Sequence, residues 1–323
     1  MNHFLQQLKH SIFIRNIKIT EKIVGKINKF PIFAGLKILK GLLMNIYKTI
    51  AETKKFVQHC HQNQLKIGFV PTMGALHQGH LTLIEKAKTE NDIVVASIFV
   101  NPIQFNNRED LLKYPRTLDK DAAMLQQVGC DAIFAPSENE MYPEPDTTVY
   151  EFGSLAEVME GKFRPGHFNG VAVVVKRLFD IVQPDNAYFG EKDYQQLQII
   201  KSLVKQKNIP VTIIPCPIVR ETDGLAMSSR NIRLTEVERN VAPFIYKTLL
   251  QAKEKANQFN PDELLHWVIN QIKSQPLMTP EYFEIVDATT LLPISNWNEC
   301  EHAIGCIALF LGSVRLIDNI GLK

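Results

Sequence analysis

Apolar positions along this chain fall into two alternating signatures. Short apolar runs at 65–70 ("LKIGFV"), 92–101 ("DIVVASIFVN"), 130–137 ("CDAIFAPS"), 186–190 ("NAYFG") and 211–216 ("VTIIPC") read as buried strands. Between them lie segments with helical spacing. In 80–91 ("HLTLIEKAKTEN"), Leu81, Ile84 and Ala87 recur every third residue on the buried side. Segments 46–62, 118–129, 170–182 and 193–207 read as further helices, and the polar, proline-bearing 137–148 ("SENEMYPEPDTT") as a loop. Strands and helices alternating in this way predict βαβ units, hence an α/β fold with a doubly wound, Rossmann-like parallel sheet.

From Leu234 the character changes. Thr235 with Glu238 makes a capping box for a helix running to about Asn257, and Asn260-Pro261 starts another. The runs 282–291 ("YFEIVDATTL") and 306–320 ("CIALFLGSVRLIDNI") predict strands of a smaller α+β C-terminal domain. The expected division is therefore 44–228 and 229–323, after a basic N-terminal extension, 1–43.

That extension carries eight Lys/Arg and one acid, leaving 28 basic and 33 acidic residues beyond it. An acidic body argues against broad nucleic-acid binding. "KIVGKINKFPIFAGLKILKGLL" is amphipathic, as in a helix lying on a membrane surface, although Pro31 and Gly35 interrupt it. The preferred reading is translated upstream sequence, rich in residues with AT-rich codons, with the true start at Met44, and no stable membrane association is expected. No apolar stretch approaches the roughly 20 residues that span a bilayer. Five widely spaced cysteines (Cys60, Cys130, Cys216, Cys300, Cys306), without a C-x-x-C pair, argue against a disulfide framework or structural zinc site and suit a reducing cytoplasm.

The polar clusters follow strands. "PTMGALHQGH" (71–80) stands where a strand gives way to a helix, whose free N–H groups and partial positive charge favour phosphate. Gly74 and Gly79 let a ligand come close to the backbone, and His77 and His80 fall on one face of the first turn, placed to hydrogen-bond a triphosphate. One histidine at a helix start is commonly a cap; two in H-x-G-H spacing after P-T-M-G point to a ligand. Asn101 and Gln104 follow the second strand, and Gly190 to Asp193 a later one.

The motif "PTMGALHQGH" resembles the H-x-G-H signature of the nucleotidylyltransferase and class I aminoacyl-tRNA synthetase superfamily. With "SIFVNPIQF" (97–105), "EGKFRPGHFNGV" (160–171), "FGEKDYQQ" (189–196) and "RETDGLAMSSRN" (220–231), it is similar in order and spacing to the pantoate–β-alanine ligase (pantothenate synthetase) family from Met44 onwards. The resemblance implies a ligase that adenylates (R)-pantoate with ATP, expels pyrophosphate and passes the acyl group to β-alanine, giving pantothenate and AMP. It implies ATP contacts from Met73, Gly74, Ala75, Leu76, His77, Gln78, Gly79 and His80, with His80 the proton donor and His77 beside the phosphates. It also implies ATP contacts from Gly190, Glu191, Lys192, Asp193, Val219, Met227, Ser228, Ser229 and Arg230, with Lys192 and Arg230 counted as catalytic. Gln104 would touch pantoate and β-alanine, Gln196 would hold pantoate, and Asn101 would shape the pocket. Arg164 and His167 would line a wall or lid. Mg2+ is implied with ATP, and Asp119 or Asp121 could assist it, though no ligand set is legible; a homodimer is implied by analogy. Two other readings stay open: a nucleotidyltransferase acting on another acceptor, and a catalytically dead membrane-associated binding module built on the extension.

Overall fold

The computed structural model describes residues 44–106 and 108–323; the extension predicted over 1–43 lies outside the described residues. Six parallel strands form the main sheet: β1 (Asn45–Tyr47), β2 (Ile67–Thr72), β3 (Ile93–Ile98), β4 (Ala132–Phe134), β5 (Asn186–Gly190) and β6 (Thr212–Cys216). Their order is β1-β4-β3-β2-β5-β6, with every pairing parallel. From β2 the chain steps outward through β3 to β4, then returns to the other flank of β2 to lay down β5 and β6. The loops after β2 and β5 therefore leave the sheet on opposite sides, making a switch point where doubly wound sheets bind ligands.

The helices that cover this sheet are α1 (Ile50–Gln62), α2 (Gln78–Glu90), α3 (Arg108–Lys113), α4 (Leu118–Gln127), α5 (Glu138–Met141), α6 (Met159–Phe163), α7 (His167–Val182) and α8 (Tyr194–Lys207). Helix α7 is apolar on almost every face because it is packed on most sides. Its Phe179 ring meets Phe69 of β2 edge-on at 6.4 Å, and Val171, Val175 and Leu178 join the same core. On α2 the stripe Leu81, Ile84 and Ala87 is buried, as its spacing predicts.

Beyond the sheet come α9 (Glu236–Val241), α10 (Phe244–Lys255) and α11 (Pro261–Lys273). Then come the antiparallel strands β7 (Met278–Asp287), β8 (Ala303–Leu311) and β9 (Val314–Gly321). Leu249, Leu264 and Val268 pack against Ile307 and Leu309 to form a second core. Residues 45–323 make one compact unit.

Four elements differ from the sequence expectation. Asn45–Tyr47 is a strand beside β4, too short to show a period, and helix α1 begins only after Thr49, whose capping box with Glu52 closes its first turn. The helix expected from 235 to 257 is broken at Pro243, which cannot continue the hydrogen-bond ladder. The run 306–320 contains a hairpin, turned at Gly312 with φ +56. Within 137–148, Ser137 caps the single turn of α5.

All five cysteines are buried. Burial pushes the Cys130 thiol up to about 12 and that of Cys216 up to about 11.

Candidate active site

Strand β2 ends in a turn that the sequence makes costly. Gly74 has φ +80, which glycine adopts freely, but Ala75 follows at φ +52, in the left-handed region that a Cβ disfavours. Asp121 on α4 holds this turn in place. Its carboxylate accepts from the backbone N–H of Ala75 at 3.0 Å and of Leu76 at 2.9 Å, and from the Thr117 hydroxyl at 3.0 Å. Asp121 is 0% exposed, so this acid, which the sequence offered as an aid to magnesium, is instead committed to the backbone as a structural clamp. Asp119, on the same helix, is exposed. Replacing Asp121 by Ala would leave two N–H groups without their acceptor and lower stability by about 2 kcal/mol or more. A falling urea midpoint reads this directly.

The turn delivers His77 as the N-cap of α2. Its Nδ1 accepts from the Gly79 N–H at 3.2 Å, while Nδ1 of His80 accepts from the His77 N–H at 3.3 Å. The capping role common for a histidine at a helix start is therefore present in both rings. Capping occupies each Nδ1, which places the proton of each neutral ring on Nε2, where it can be donated to a ligand. The rings lie 4.1 Å apart at 46°. Burial, with Lys192 adding to it, lowers His77 to about 4; burial, then His77 and Lys192, lower His80 to about 3.

Burial likewise lowers His167 to about 4, with Arg164 acting in the same direction. These folded values lie below the unfolded value near 6.5, so the unfolded chain takes up protons first as pH falls. Stability from these rings is full above about pH 6.5 and is lost toward pH 4, by up to about 1.4 kcal/mol per pH unit for each ring. Urea titrations at pH 7.5 and 5 would show that loss, and a His167→Gln variant would show a shallower one. An unchanged midpoint between the two pH values would contradict neutral burial.

The second polar cluster follows β3. Asn101, 1% exposed, donates to the Gly170 carbonyl at 3.0 Å and to Gln104 Oε1 at 3.2 Å, and accepts from the Tyr142 hydroxyl at 2.9 Å. Gln104 is buried behind Met73, its Nε2 resting 3.0 Å from the thioether sulfur, a weak acceptor. The carbonyl of Gln104 faces Nδ1 of His167 at 2.8 Å, so that ring carries its proton on Nδ1.

The third cluster follows β5. Gly190 leads into the turn Glu191–Asp193, and α8 begins at Tyr194. Of the paired glutamines, Gln195 is structural: it accepts from Glu160 N–H at 3.0 Å and donates to the Leu155 and Val158 carbonyls at 2.8 Å each. Gln196 faces the cleft. A fourth segment, after β6, folds back so that Met227 N–H reaches the Val219 carbonyl at 3.0 Å and Arg230 N–H the Ser228 hydroxyl at 3.2 Å.

These loops enclose an open cleft of about 1010 Å³ at the switch point, lined by Met73, His77, Gly79, His80, Gly190, Lys192, Asp193, Gln196, Val219 and Met227 to Arg230. It adjoins a chamber of about 420 Å³ that shares Lys192, Asp193 and Gln196 and includes Arg164 and His167. Not every residue of the first motif faces the cleft. Leu76 is buried and Gln78 is exposed, while Gly74 lines a separate hollow. Tyr114, Leu83 and Phe189 also line the cleft. Tyr114 escapes sequence reading because it follows the six-residue α3, a segment without periodicity. Among the acids, Asp193 lines the cleft, and no His/Cys/Asp/Glu cluster able to hold a metal occurs among the described residues.

Backbone N–H groups at a helix start, two imidazoles with Nε2 left available and a lysine on the turn after the neighbouring strand are the features of an enzyme that handles a nucleoside polyphosphate. The model of the family described as Pantoate-beta-alanine ligase matches residues 45–321, and the chain belongs to that family. It is 54% identical over 277 residues to the pantothenate synthetase of Porphyromonas gingivalis, covering 86% of this chain and 99% of the relative. To that of Phocaeicola vulgatus it is 52% identical, covering 87% and 100%. Among solved structures, a pantothenate synthetase from Thermus thermophilus superposes with a TM-score of 0.80 at 46% identity, covering 87% of this chain and 100% of that one. The Francisella tularensis ligase, complexed with β-γ ATP and β-alanine, gives 0.73 at 39%, covering 87% and 98%.

Proposed function

We propose that this chain condenses (R)-pantoate with β-alanine at the expense of ATP. A carboxylate oxygen of pantoate attacks the α-phosphorus, the bond to pyrophosphate breaks, and a pantoyl adenylate forms. The β-alanine nitrogen then attacks the acyl carbon, the bond to AMP breaks, and pantothenate leaves after losing a proton. The observation that supports this reading is that His77 and His80, each occupied at Nδ1 by a backbone N–H, line one cleft with Lys192 at the α2 start.

Negative charge builds on the departing pyrophosphate, and these fixed donors meet it without reorganisation. His80 and His77 act as neutral N–H groups, since burial keeps both rings uncharged at neutral pH. Lys192 and Arg230 supply full positive charge, and the hydroxyls of Ser228 and Ser229 complete the phosphate shell. Gly79, Gly190 and Val219 present backbone to the nucleotide. Gln104 and Gln196 hold pantoate, whose hydroxyls need both donors and acceptors, and Gln104 also meets the β-alanine amine. Asp193, the carboxylate lining the cleft, would help hold a Mg2+ ion bound to the ATP phosphates, which would offset their negative charge. Arg164 and His167, in the adjoining chamber, help keep water from the adenylate.

On this reading 44–228 is the catalytic portion and 229–323 its C-terminal cover, the enzyme works in the cytoplasm, and it pairs as a homodimer. The test is an AMP-release assay that requires both pantoate and β-alanine, with pyrophosphate formed from ATP and pantoate alone. AMP release independent of β-alanine would reject the reading.

A further inference from the structure

The turn that carries Lys192 is three residues long and has no apolar side chain of its own, and its Lys192 and Asp193 line the cleft. It is held from the other sheet. Asn319, buried on β9, donates one amide hydrogen to the Glu191 carbonyl at 2.9 Å and the other to the Lys192 carbonyl at 3.0 Å. Its neighbour Asp318 is also buried and fixes Asn319 by accepting from the Asn319 backbone N–H at 2.8 Å. The same carboxylate takes both ends of the Arg220 guanidinium, at 2.7 and 2.9 Å. Arg220 in turn donates to the Gly224 carbonyl at 3.1 Å and lies 3.5 Å over the ring of Tyr246. It stands immediately after Val219 and at the base of the loop that presents Ser228, Ser229 and Arg230.

Two consecutive residues of β9 therefore grip both segments that supply cations to the cleft. Both hydrogens of one planar amide point at two successive carbonyls, a geometry that fixes the turn's rotation as well as its position. We infer that Asn319 is a positioning residue for Lys192, with the Asp318–Arg220 pair holding the Val219–Arg230 loop in register from the same strand. The inference rests on the adenylation reading above and assigns to the C-terminal sheet a part in placing phosphate-binding charge.

A shift near 1 Å in a charged group aimed at a transferring phosphoryl group costs on the order of 10–10² fold in rate. The experiment measures pyrophosphate release from ATP and pantoate in a single turnover, for Asn319→Ala made both in the wild type and in a Lys192→Ala background. If Asn319 acts through Lys192, Asn319→Ala slows release by about 10–10² fold when Lys192 is present and by less than about 3-fold when it is absent. Asn319→Asp is nearly isosteric but sets an acceptor against two carbonyl oxygens, so it is expected to be at least as slow as Asn319→Ala. Equal penalties in both backgrounds, or near-normal release by Asn319→Asp, would overturn the assignment. Circular dichroism checks that each variant is folded. If Asn319→Ala is not, Asn319→Ser, which keeps one donor, is run through the same cycle with the same criterion. Wild-type enzyme that releases no pyrophosphate with pantoate would instead sink the adenylation reading.

Discussion

His80→Ala is expected to slow pantoate-dependent pyrophosphate release by about 10²–10³ fold, the scale of losing one preorganised donor in an enclosed site. The ring does two jobs that the substitution removes together. Its Nδ1 accepts from the His77 N–H, so the first turn of α2 loses a cap worth about 1 kcal/mol. Its Nε2–H, oriented by that bond, is lost to the phosphates. The capping loss should register as a small fall in urea midpoint, and the chemical loss as a much larger fall in rate. His80→Asn separates them, since an amide can cap the turn without placing a donor at the Nε2 position. Such a variant should recover stability and stay slow; a fast, stable His80→Asn enzyme would remove the imidazole from the mechanism.

Gln104→Ala should lower kcat/KM for pantoate and for β-alanine by about 10² fold while leaving ATP affinity near that of the parent. A buried amide that matches substrate hydroxyls discriminates strongly, because its loss leaves those hydroxyls dry and unpaired. The effect has a mimic that leaves the amide intact. A Cβ added at Gly170 would lie 2.7 Å from the Gln104 Cα and 2.7 Å from the Ile103 carbonyl oxygen, both backbone atoms of the turn after β3. Gly170→Ala must push that turn outward and should reproduce part of the same defect. Steady-state kinetics with each substrate varied in turn would check both. If Gln104→Ala weakened ATP as much as pantoate, the acid pocket would have to lie elsewhere.

Sequence reading reached the features that rest on local pattern. Five of the six parallel strands, the helix stripe Leu81, Ile84 and Ala87, the box Thr235/Glu238 and the helix start at Asn260-Pro261 follow from periods and caps visible within about fifteen residues. So did the cleft, since His77, His80, Lys192, Gln196 and the 227–230 loop all stand just beyond strand ends and do meet at one place. What stayed hidden depends on partners distant along the chain. Asp121 looked like an available acid because nothing nearby says that its acceptors are spent on Ala75 and Leu76, more than forty residues earlier. Gln195 and Gln196 are indistinguishable as letters; the helix turn decides that one faces Leu155 and the other the cleft. Asn319 reaches Glu191 across 128 positions, and no spacing rule connects them. Pro243 is a different case. Its effect on a helix is readable, and the strong capping box ahead of it masked the break.

The five enclosed thiols make the native enzyme its own unfolding gauge. Each sulfur is shielded from solvent, and those of Cys130 and Cys216 are also held protonated. Thiolate rather than thiol reacts with an alkylating or disulfide-exchange reagent. Modification must then await an opening of the surrounding layers, and its rate, followed cysteine by cysteine, counts how often each layer breathes. Cys130 and Cys216 would time the nucleotide-binding sheet and Cys300 and Cys306 the C-terminal one, so a bound nucleotide that knits the two together should slow both clocks at once.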